Sequence, residues 1–482
     1  MAFRPLLHVI GVVVAAVALA MVAPVIVALL YQEWETAGRI AIAAALTGMI
    51  GLGARRQFPT PKALSAREGF AIVGLAWFAI TIFGMLPYIV TGEIVGVFDA
   101  LFESAAGFST TGASIVPDPA ELSKGLLFWR SLTQWLGGMG IIVLSIAVLP
   151  LLGVGGVQLA RAESPGPTPD RLTPRFRETA KRLWLVYLGF TAAEVILLWI
   201  GDMNLFEAVS HSLTTMSTGG FGTDARSMNA FSAYSQWIVI IFMLLAGTSF
   251  ALHYRALRKP KEYLGNSEFK LYLAIIVTAS TVAILSTWGG AVGSTVRDAL
   301  FTIISIVTTT GFATADFGSW PVALMIMIFG LFFVGGMAGS TGGSVKPYRL
   351  GVLFEASRAD LRRVIHPRGV FVVRLGRDHV PDQIVESVQS FFLLYMFAFM
   401  TGTMLVALFE QMFGSVTDIV TVASAVASSI GNVGPGLGGV GPTQNYTVVH
   451  DSTKVVLSFL MVLGRLELFP VLLLFTRELW RR

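Results

Sequence analysis

Nine long runs of apolar residues, each nearly free of charge, constrain this chain more than any other feature. They cover 9–30, 70–91, 126–152, 183–200, 237–252, 271–288, 321–338, 391–409 and 455–475. A helix needs about 20 apolar residues to cross the hydrocarbon core of a bilayer. One such run could be a buried helix of a soluble protein, but nine could not. Only 13% of the 482 residues are charged, against 54% hydrophobic, too few to cover a soluble surface of this size. A weaker tenth candidate, 36–53, is shortened by Gly48, Gly51 and Gly53. The sequence therefore predicts an all-α polytopic membrane protein. Near the start, Arg4, an apolar stretch and Ala18-Leu19-Ala20 imitate a cleavable signal peptide. The apolar run continues through Val22, Val25, Ile26, Val27 and Leu30, too long for a signal core, which predicts an uncleaved first span.

The chain has no cysteine, which excludes disulfides and thiolate metal sites. Its six histidines form no ligand-spaced pair, so a metal enzyme is not expected. The net charge of +5 matters less than its distribution. Basic clusters stand at Arg55-Arg56-Lys62-Arg67, Arg161 through Arg182, Arg255-Arg258-Lys259-Lys261, Lys346 through Arg377, and Arg477-Arg481-Arg482. The loops between them carry few bases, such as Lys124, Arg226 and Lys454. Basic loops stay cytoplasmic, so all five clusters and both termini are expected on that side. Nucleic acid could also explain basic clusters; in so apolar a chain the topological reading is preferred, and no nucleic-acid partner is expected.

Between successive basic clusters the chain must leave the cytoplasm and return. Each interval holds two long apolar helices, and between them a shorter apolar segment ending in a glycine turn. The four short segments resemble one another. The first runs from Phe98-Asp99-Ala100-Leu101-Phe102 to Ser109-Thr110-Thr111-Gly112-Ala113. The second runs from Leu205-Phe206-Glu207-Ala208 to Met216-Ser217-Thr218-Gly219-Gly220. The third runs from Arg297-Asp298-Ala299-Leu300-Phe301 to Thr308-Thr309-Thr310-Gly311-Phe312. The fourth runs from Thr417-Asp418-Ile419-Val420 to Ser428-Ser429-Ile430-Gly431-Asn432. From acidic residue to glycine the offsets are 13, 12, 13 and 13, an internal repeat of the kind that marks binding sites in membrane proteins.

Asp99, Glu207, Asp298 and Asp418 stand where a short helix would begin, and a carboxylate there complements the positive helix end. The apolar stretch that follows is too short to span. A segment that enters the membrane and turns back survives only where it lines a watery cavity. Its negative C-terminal end favours a cation. Backbone carbonyls at the turn can replace the hydration shell of a monovalent ion, and glycine permits the required backbone angles. Neutral oxygens suit a large monovalent cation better than a divalent one, which recruits carboxylates. The bland alternative is four glycine turns that merely kink packed helices.

With these four segments the chain resembles the Trk/Ktr/HKT superfamily of potassium transporters, and most of all its TrkH-type bacterial members. The resemblance covers nearly the whole length, including the N-terminal hairpin (about 9–53). It implies four pseudo-symmetric helix–pore loop–helix repeats around one central pore. The hairpin would occupy 1–60 and the repeats 61–160, 161–262, 263–378 and 379–482. By resemblance the filter glycines are Gly112, Gly219, Gly311 and Gly431. Potassium is then lined by Thr110, Thr111, Ser217, Thr218, Thr309, Thr310, Ile430 and Asn432, with Ala113, Gly220 and Phe312 as neighbours. Ile430, where the other segments carry Thr, makes the fourth repeat the most divergent. A glycine rather than a serine at 112 goes with potassium preference.

The resemblance also implies a gate where the last helix of the third repeat breaks, at about 335–345. The residues are Gly335, Gly336, Gly339, Ser340, Thr341, Gly342 and Gly343, followed by Lys346. A glycine- and serine-rich stretch of this kind is a poor helix former; a plain membrane-to-cytosol linker is the competing reading. Arg465 matches the family's intramembrane arginine, a costly residue that is a functional candidate by default. It would set a barrier, hold the gate loop through its carbonyls, or pair with Glu467 or Glu478. The family further implies a homodimer in the bacterial inner membrane, in contact with lipid. It also implies a cytosolic nucleotide-binding RCK-type regulator (TrkA-like) docked on basic loops such as Arg349 to Arg377. Gly153-Val154-Gly155-Gly156 is too short and badly placed for a nucleotide fingerprint, so any nucleotide control must come from a partner. The resemblance implies potassium as the permeating ligand, with no organic cofactor on this chain.

Two other functions compete. A symporter coupled to protons or sodium would use Glu194, deep in an apolar run, although that acid can equally be a hydrogen-bonded structural group. A membrane-embedded enzyme would need clustered acids, bases or metal ligands; Ser109, Ser217 and Ser428 have no His–Asp partner by motif, and His211 stands alone. Gly112→Ser is predicted to weaken discrimination of potassium over sodium, measured as a flux ratio in liposomes; an unchanged ratio counts against the filter assignment.

Overall fold

The computed structural model describes residues 3–58, 66–147, 172–289, 292–376, 378–414 and 418–481. Lys62, the tail of the run 126–152, the glycines at 153–156, Arg161 and Arg171 of the Arg161–Arg182 cluster, Arg377, Thr417 and Arg482 lie outside the described residues. The fold is helical and its spans follow the apolar runs. Among the described residues six helices are long and apolar enough to cross a membrane: Leu6–Leu30, Trp34–Gln57, Arg67–Thr91, Glu178–Ile200, Ser267–Ser286 and Asp382–Phe413. A small hairpin, Arg374–Leu375 paired with Asp378–His379, is the one sheet described.

Helix–pore helix–helix units recur four times along the chain. The first is Ala66–Gly84 with Leu86–Thr91, then Val97–Phe108, then Lys124–Ala147. The second is Leu172–Ile200, Leu205–Met216, and Ala233–Ala246 with Phe250–Ala256. The third is Ser267–Ser286, Val292–Val307 and Val322–Leu331. The fourth is Asp382–Phe413, Ile419–Gly431 and Asp451–Arg465. The four short helices lie at the centre, and their C-terminal halves are almost wholly buried.

Three sequence expectations change here. The stretch 36–53 is not shortened by its glycines: it forms the full helix Trp34–Gln57, packed along Phe3–Ala20. Gly51 explains the tight fit, since a Cβ there would come within 2.5 Å of the Ala15 backbone nitrogen. Asp298 does not begin its helix, which starts six residues earlier at Val292. Glu207 does fit, in a reciprocal capping box with Asn204. Asp418 is itself the N-cap and accepts from the amides of Val420 and Thr421.

The third change concerns the closing helix of each repeat. A break was expected only in the third, yet the second and fourth also break. The second bends by 98° between Ala246 and Phe250, the fourth by 118° between Arg465 and Phe469. At the fourth, Glu467 and Leu468 hold φ of 56° and 64°, a region side chains rarely adopt. The runs 237–252 and 455–475 are therefore each two helices, and 321–338 ends as helix at Leu331.

Gly51→Val should strain the N-terminal hairpin and lower stability by about 1–3 kcal/mol. Gly53→Val, where a Cβ meets nothing within 4 Å, should not. Thermal unfolding of the two purified variants compares them, and equal midpoints would contradict the packing described.

Candidate ion-conduction site

The four pore helices end alike. After Phe108, Met216, Val307 and Gly431 the chain turns through a residue of positive φ: Thr110 (54°), Thr218 (53°), Thr309 (58°) and Asn432 (55°). Two residues later comes a glycine of positive φ: Gly112 (77°), Gly220 (77°), Gly311 (85°) and Gly434 (109°). The hydrogen bonds repeat as well. The amides of Thr111, Gly219, Thr310 and Val433 donate to the carbonyls of Ala106, Thr214, Ser305 and Ser428 at 2.9, 2.8, 2.8 and 2.9 Å. Each bond spans five residues, so the four turns are in register.

This register corrects the sequence reading in two repeats. In the second, the equivalent of Gly112 is Gly220, not Gly219. In the fourth it is Gly434, not Gly431, which is the last residue of its helix. Ile430 falls inside that helix, level with Phe108, and Ser217 is the helix C-cap level with Ser109. The real departure of the fourth repeat is Asn432-Val433, where the first and third carry Thr-Thr. In the fourth repeat the difference has a simple cause: Asp418 caps its helix from outside, whereas Asp99 and Glu207 sit in the first turn, so an offset of 13 lands one helical turn short. In the second, an offset of 13 from Glu207 reaches Gly220, and the offset of 12 selects the earlier glycine of the pair.

The turns close on one another. A Cβ added to Gly112 would run into the carbonyl oxygen of Gly219, and one added to Gly220 into that of Thr310. One added to Gly311 would strike the oxygen of Val433, and one on Gly434 would stand 2.7 Å from that of Thr111. The circuit passes through all four repeats in order and returns to the first. All four glycines also line a single cavity of roughly 160 Å³. Asp224 lines it too; the Arg226 guanidinium hydrogen-bonded to Asp224 holds its carboxyl below the usual carboxylate range. The Asp224–Arg226 pair thus stands at the mouth, beside four helix C-termini whose negative ends favour a cation.

The stretch after Leu331 packs against the other side of the turns. It doubles back, with the Gly335 amide donating to Val345 O at 3.0 Å. Gly343 N donates to Thr309 Oγ1 at 2.8 Å, and Thr341 Oγ1 donates to the carbonyls of Met216 and Ala246, both at 3.1 Å. Ser340 through Lys346 are buried, which is not how a linker to the cytosol behaves. Gly336 packs on Gly247, while Gly339 (φ 79°) and Gly342 complete the reversals.

Arg465 donates to Thr341 O at 2.6 Å and to Gly137 O at 3.3 Å. Of the three sequence alternatives, the structure therefore shows the one in which it grips the loop's carbonyls. Glu467 instead binds Lys346, at 2.5 Å, and Arg349. Arg349 is consequently buried and drops out of the surface expected for a docking partner. Glu194 is buried too; the Thr215 hydroxyl interacts with its carboxyl, although neither oxygen has a partner at full hydrogen-bonding distance.

The family model described as "TrkH: Cation transport protein" matches residues 38–278 and 267–481. This chain belongs to the TrkH family. The Trk system potassium uptake protein TrkH of Vibrio parahaemolyticus is 37% identical over 495 residues, covering 100% of both chains. That of Escherichia coli K12 is 38% identical over 493 residues, again with full coverage of both. The crystal structure of the potassium transporter TrkH from Vibrio parahaemolyticus superposes with a TM-score of 0.91 over all of both chains, at 35% identity. The helical, multi-span architecture is thus that of the TrkH family.

Gly434→Ser should lower discrimination of potassium over sodium as a ring substitution, whereas Gly431→Ser should change total flux and leave the ion ratio alone. Paired flux assays with the two ions decide the register; the reverse pattern would restore Gly431 to the ring.

Proposed function

We propose that this chain takes up potassium, passing the dehydrated ion along the axis of the four turns. The observation that carries the reading is the closed circuit of Gly112, Gly220, Gly311 and Gly434, each against the carbonyl of the next repeat. Four such turns present oxygens of the kind that replace a monovalent ion's water. Thr110, Thr111, Thr218, Gly219, Thr309, Thr310, Asn432 and Val433 supply the rest of the lining. On this reading the chain divides near 60, 160, 262 and 378 into the hairpin and four repeats. The protein is a transporter rather than an enzyme, since nothing but ion passage is asked of these residues.

The loop Gly335 to Lys346 acts as the gate. It lies across the inner end of the ring, and Arg465 holds it by the Thr341 carbonyl. The Lys346–Glu467–Arg349 cluster anchors the loop's far end to the bend in the last helix. Moving that bend would move the loop, which couples the gate to forces applied from outside the membrane. A cytosolic nucleotide-binding regulator of TrkA type would apply them through exposed bases. Arg358, Arg362 and Arg363 are exposed, as are Arg255, Lys259 and Lys261 beside a cavity of roughly 800 Å³. The concentration of bases supports a cytoplasmic position for these loops, and for both chain ends, in a bacterial inner membrane. There the chain would pair as a homodimer and contact lipid through its exposed apolar faces.

A coupled symporter is the second reading, and Glu194 is what favours it: a buried intramembrane carboxyl can carry a proton. Purified protein in liposomes separates the two. Uptake compared for potassium, rubidium, sodium and lithium should favour the two larger ions, and the reversal potential should follow potassium alone. A reversal potential that shifts with a pH gradient would mean coupled transport, and equal flux of all four ions would remove the filter. Arg465→Met should raise regulator-independent leak about tenfold, the value of one charge-assisted hydrogen bond on the closed loop. Leak at or below that of the unaltered protein would mean that Arg465 does not hold a gate.

A further inference from the structure

Nine residues before each ring glycine, the pore helices carry Glu103, His211, Thr302 and Ala425. The position faces the strand that leaves the filter. Glu103 Oε2 accepts from the Ile115 amide at 3.0 Å, and Ser114 Oγ donates to its Oε1 at 3.0 Å. His211 Nε2 makes the corresponding contact with Thr223 Oγ1 at 3.1 Å. Thr302 Oγ1 has no partner, and Ala425 can offer none. One position thus braces the exit strand in the first two repeats, and in the first alone it does so with an acid.

That acid has a buried counter-ion. Arg130 Nε lies 2.7 Å from Glu103 Oε1, with both side chains at most 2% exposed. The guanidinium also donates to Ser114 Oγ at 3.1 Å and to Gly222 O at 3.4 Å, and it lies 4.2 Å from the centre of the Phe221 ring. It therefore holds the exit strands of the first and second repeats together, and it lines the cavity at the mouth of the ring. One helical turn further along Lys124–Ala147, on the same face, stands Gln134. Its Nε2 donates to Gly219 O at 2.7 Å, and its Oε1 accepts from the Phe221 amide at 3.1 Å. Gln134 thus clasps the backbone on both sides of Gly220. Gly219 O is the same oxygen that abuts Gly112.

We propose that Glu103, Arg130 and Gln134 are positioning residues that set the filter's discrimination between monovalent cations. They do so by fixing the spacing of the first two filter strands, with Glu103 neutralising a cationic group at the entrance to the ion path. The inference rests on the filter reading above. Fixed spacing matters because a cage set for a larger dehydrated ion selects against a smaller one only while it cannot contract. Neutralisation matters because an unpaired buried guanidinium repels an arriving cation in a low-dielectric setting.

The two roles predict different outcomes. In liposomes, Glu103→Gln should cut potassium flux about tenfold or more by leaving Arg130 unpaired. The double variant Glu103→Gln/Arg130→Met removes both charges, so it should recover most of that flux while its sodium-to-potassium ratio stays raised. Gln134→Met, uncharged and similar in size, should raise the sodium-to-potassium ratio about tenfold with little loss of thermal stability. A double variant no better than Glu103→Gln would overturn the electrostatic role. If Glu103→Gln yields no folded protein, Gln134→Met decides, and an unchanged ion ratio there overturns the proposal. Gly112→Ser runs alongside. If it shifts the ratio while the folded brace variants do not, the brace alone is wrong; if it too leaves the ratio unaltered, the filter reading falls and the brace with it.

Discussion

The contact between each ring glycine and the backbone carbonyl of the next repeat is the interaction on which the rest of the structure depends. Four chain segments can converge this closely only if none presents a side chain at the point of contact. Gly112, Gly220, Gly311 and Gly434 meet that condition, and all four hold positive φ. Everything around the ring serves to bring them there. The short helices deliver the turns with their negative ends inward, and glycines of the closing helices let those helices come close. A Cβ on Gly137 would collide with Phe108 O, and one on Gly464 with Ile430 O; Phe108 and Ile430 are equivalent residues of the first and fourth pore helices.

The ring is four-fold in backbone but not in chemistry. Thr-Thr, Thr-Gly, Thr-Thr and Asn-Val precede the glycines, and among the described residues only the first repeat places a buried ion pair behind its exit strand. Below the ring the asymmetry grows. The third repeat contributes the loop, the fourth the arginine that grips it, and the first a second carbonyl for the same arginine. A single chain can divide such tasks among its repeats, whereas four identical subunits cannot.

Much of this was legible in the sequence. The apolar runs located the spans, and the four acid-to-glycine segments located the pore helices, because hydropathy and turn chemistry are local properties. The glycine register was less legible. Gly219-Gly220 and Gly431-Asn432-Val433-Gly434 each offer two glycines; the offset of 13 that holds in the first and third repeats selects Gly220, but in the fourth the choice requires knowing where the helix begins. Asp418 acts from the N-cap and Asp99 from the first turn, a difference of one turn that composition does not reveal. The breaks after Ala246 and Arg465 were less legible because the apolar helices on either side merge within one hydropathy window, although Gly247-Thr248-Ser249 and Arg465-Leu466-Glu467 mark the two bends. Glu103, Arg130 and Gln134 went unnoticed because each, alone in sequence, looks like an ordinary polar residue. A reading of the pore helices column by column, nine residues before the ring glycine, would have singled out Glu103.

The most direct measurement of the central claim is the position of a heavy monovalent ion in the protein. Crystals grown in rubidium or thallium should show anomalous density on the axis bounded by Gly112, Gly220, Gly311 and Gly434. Density confined to the neighbourhood of Glu194, or none inside the ring at saturating ion, would contradict the account.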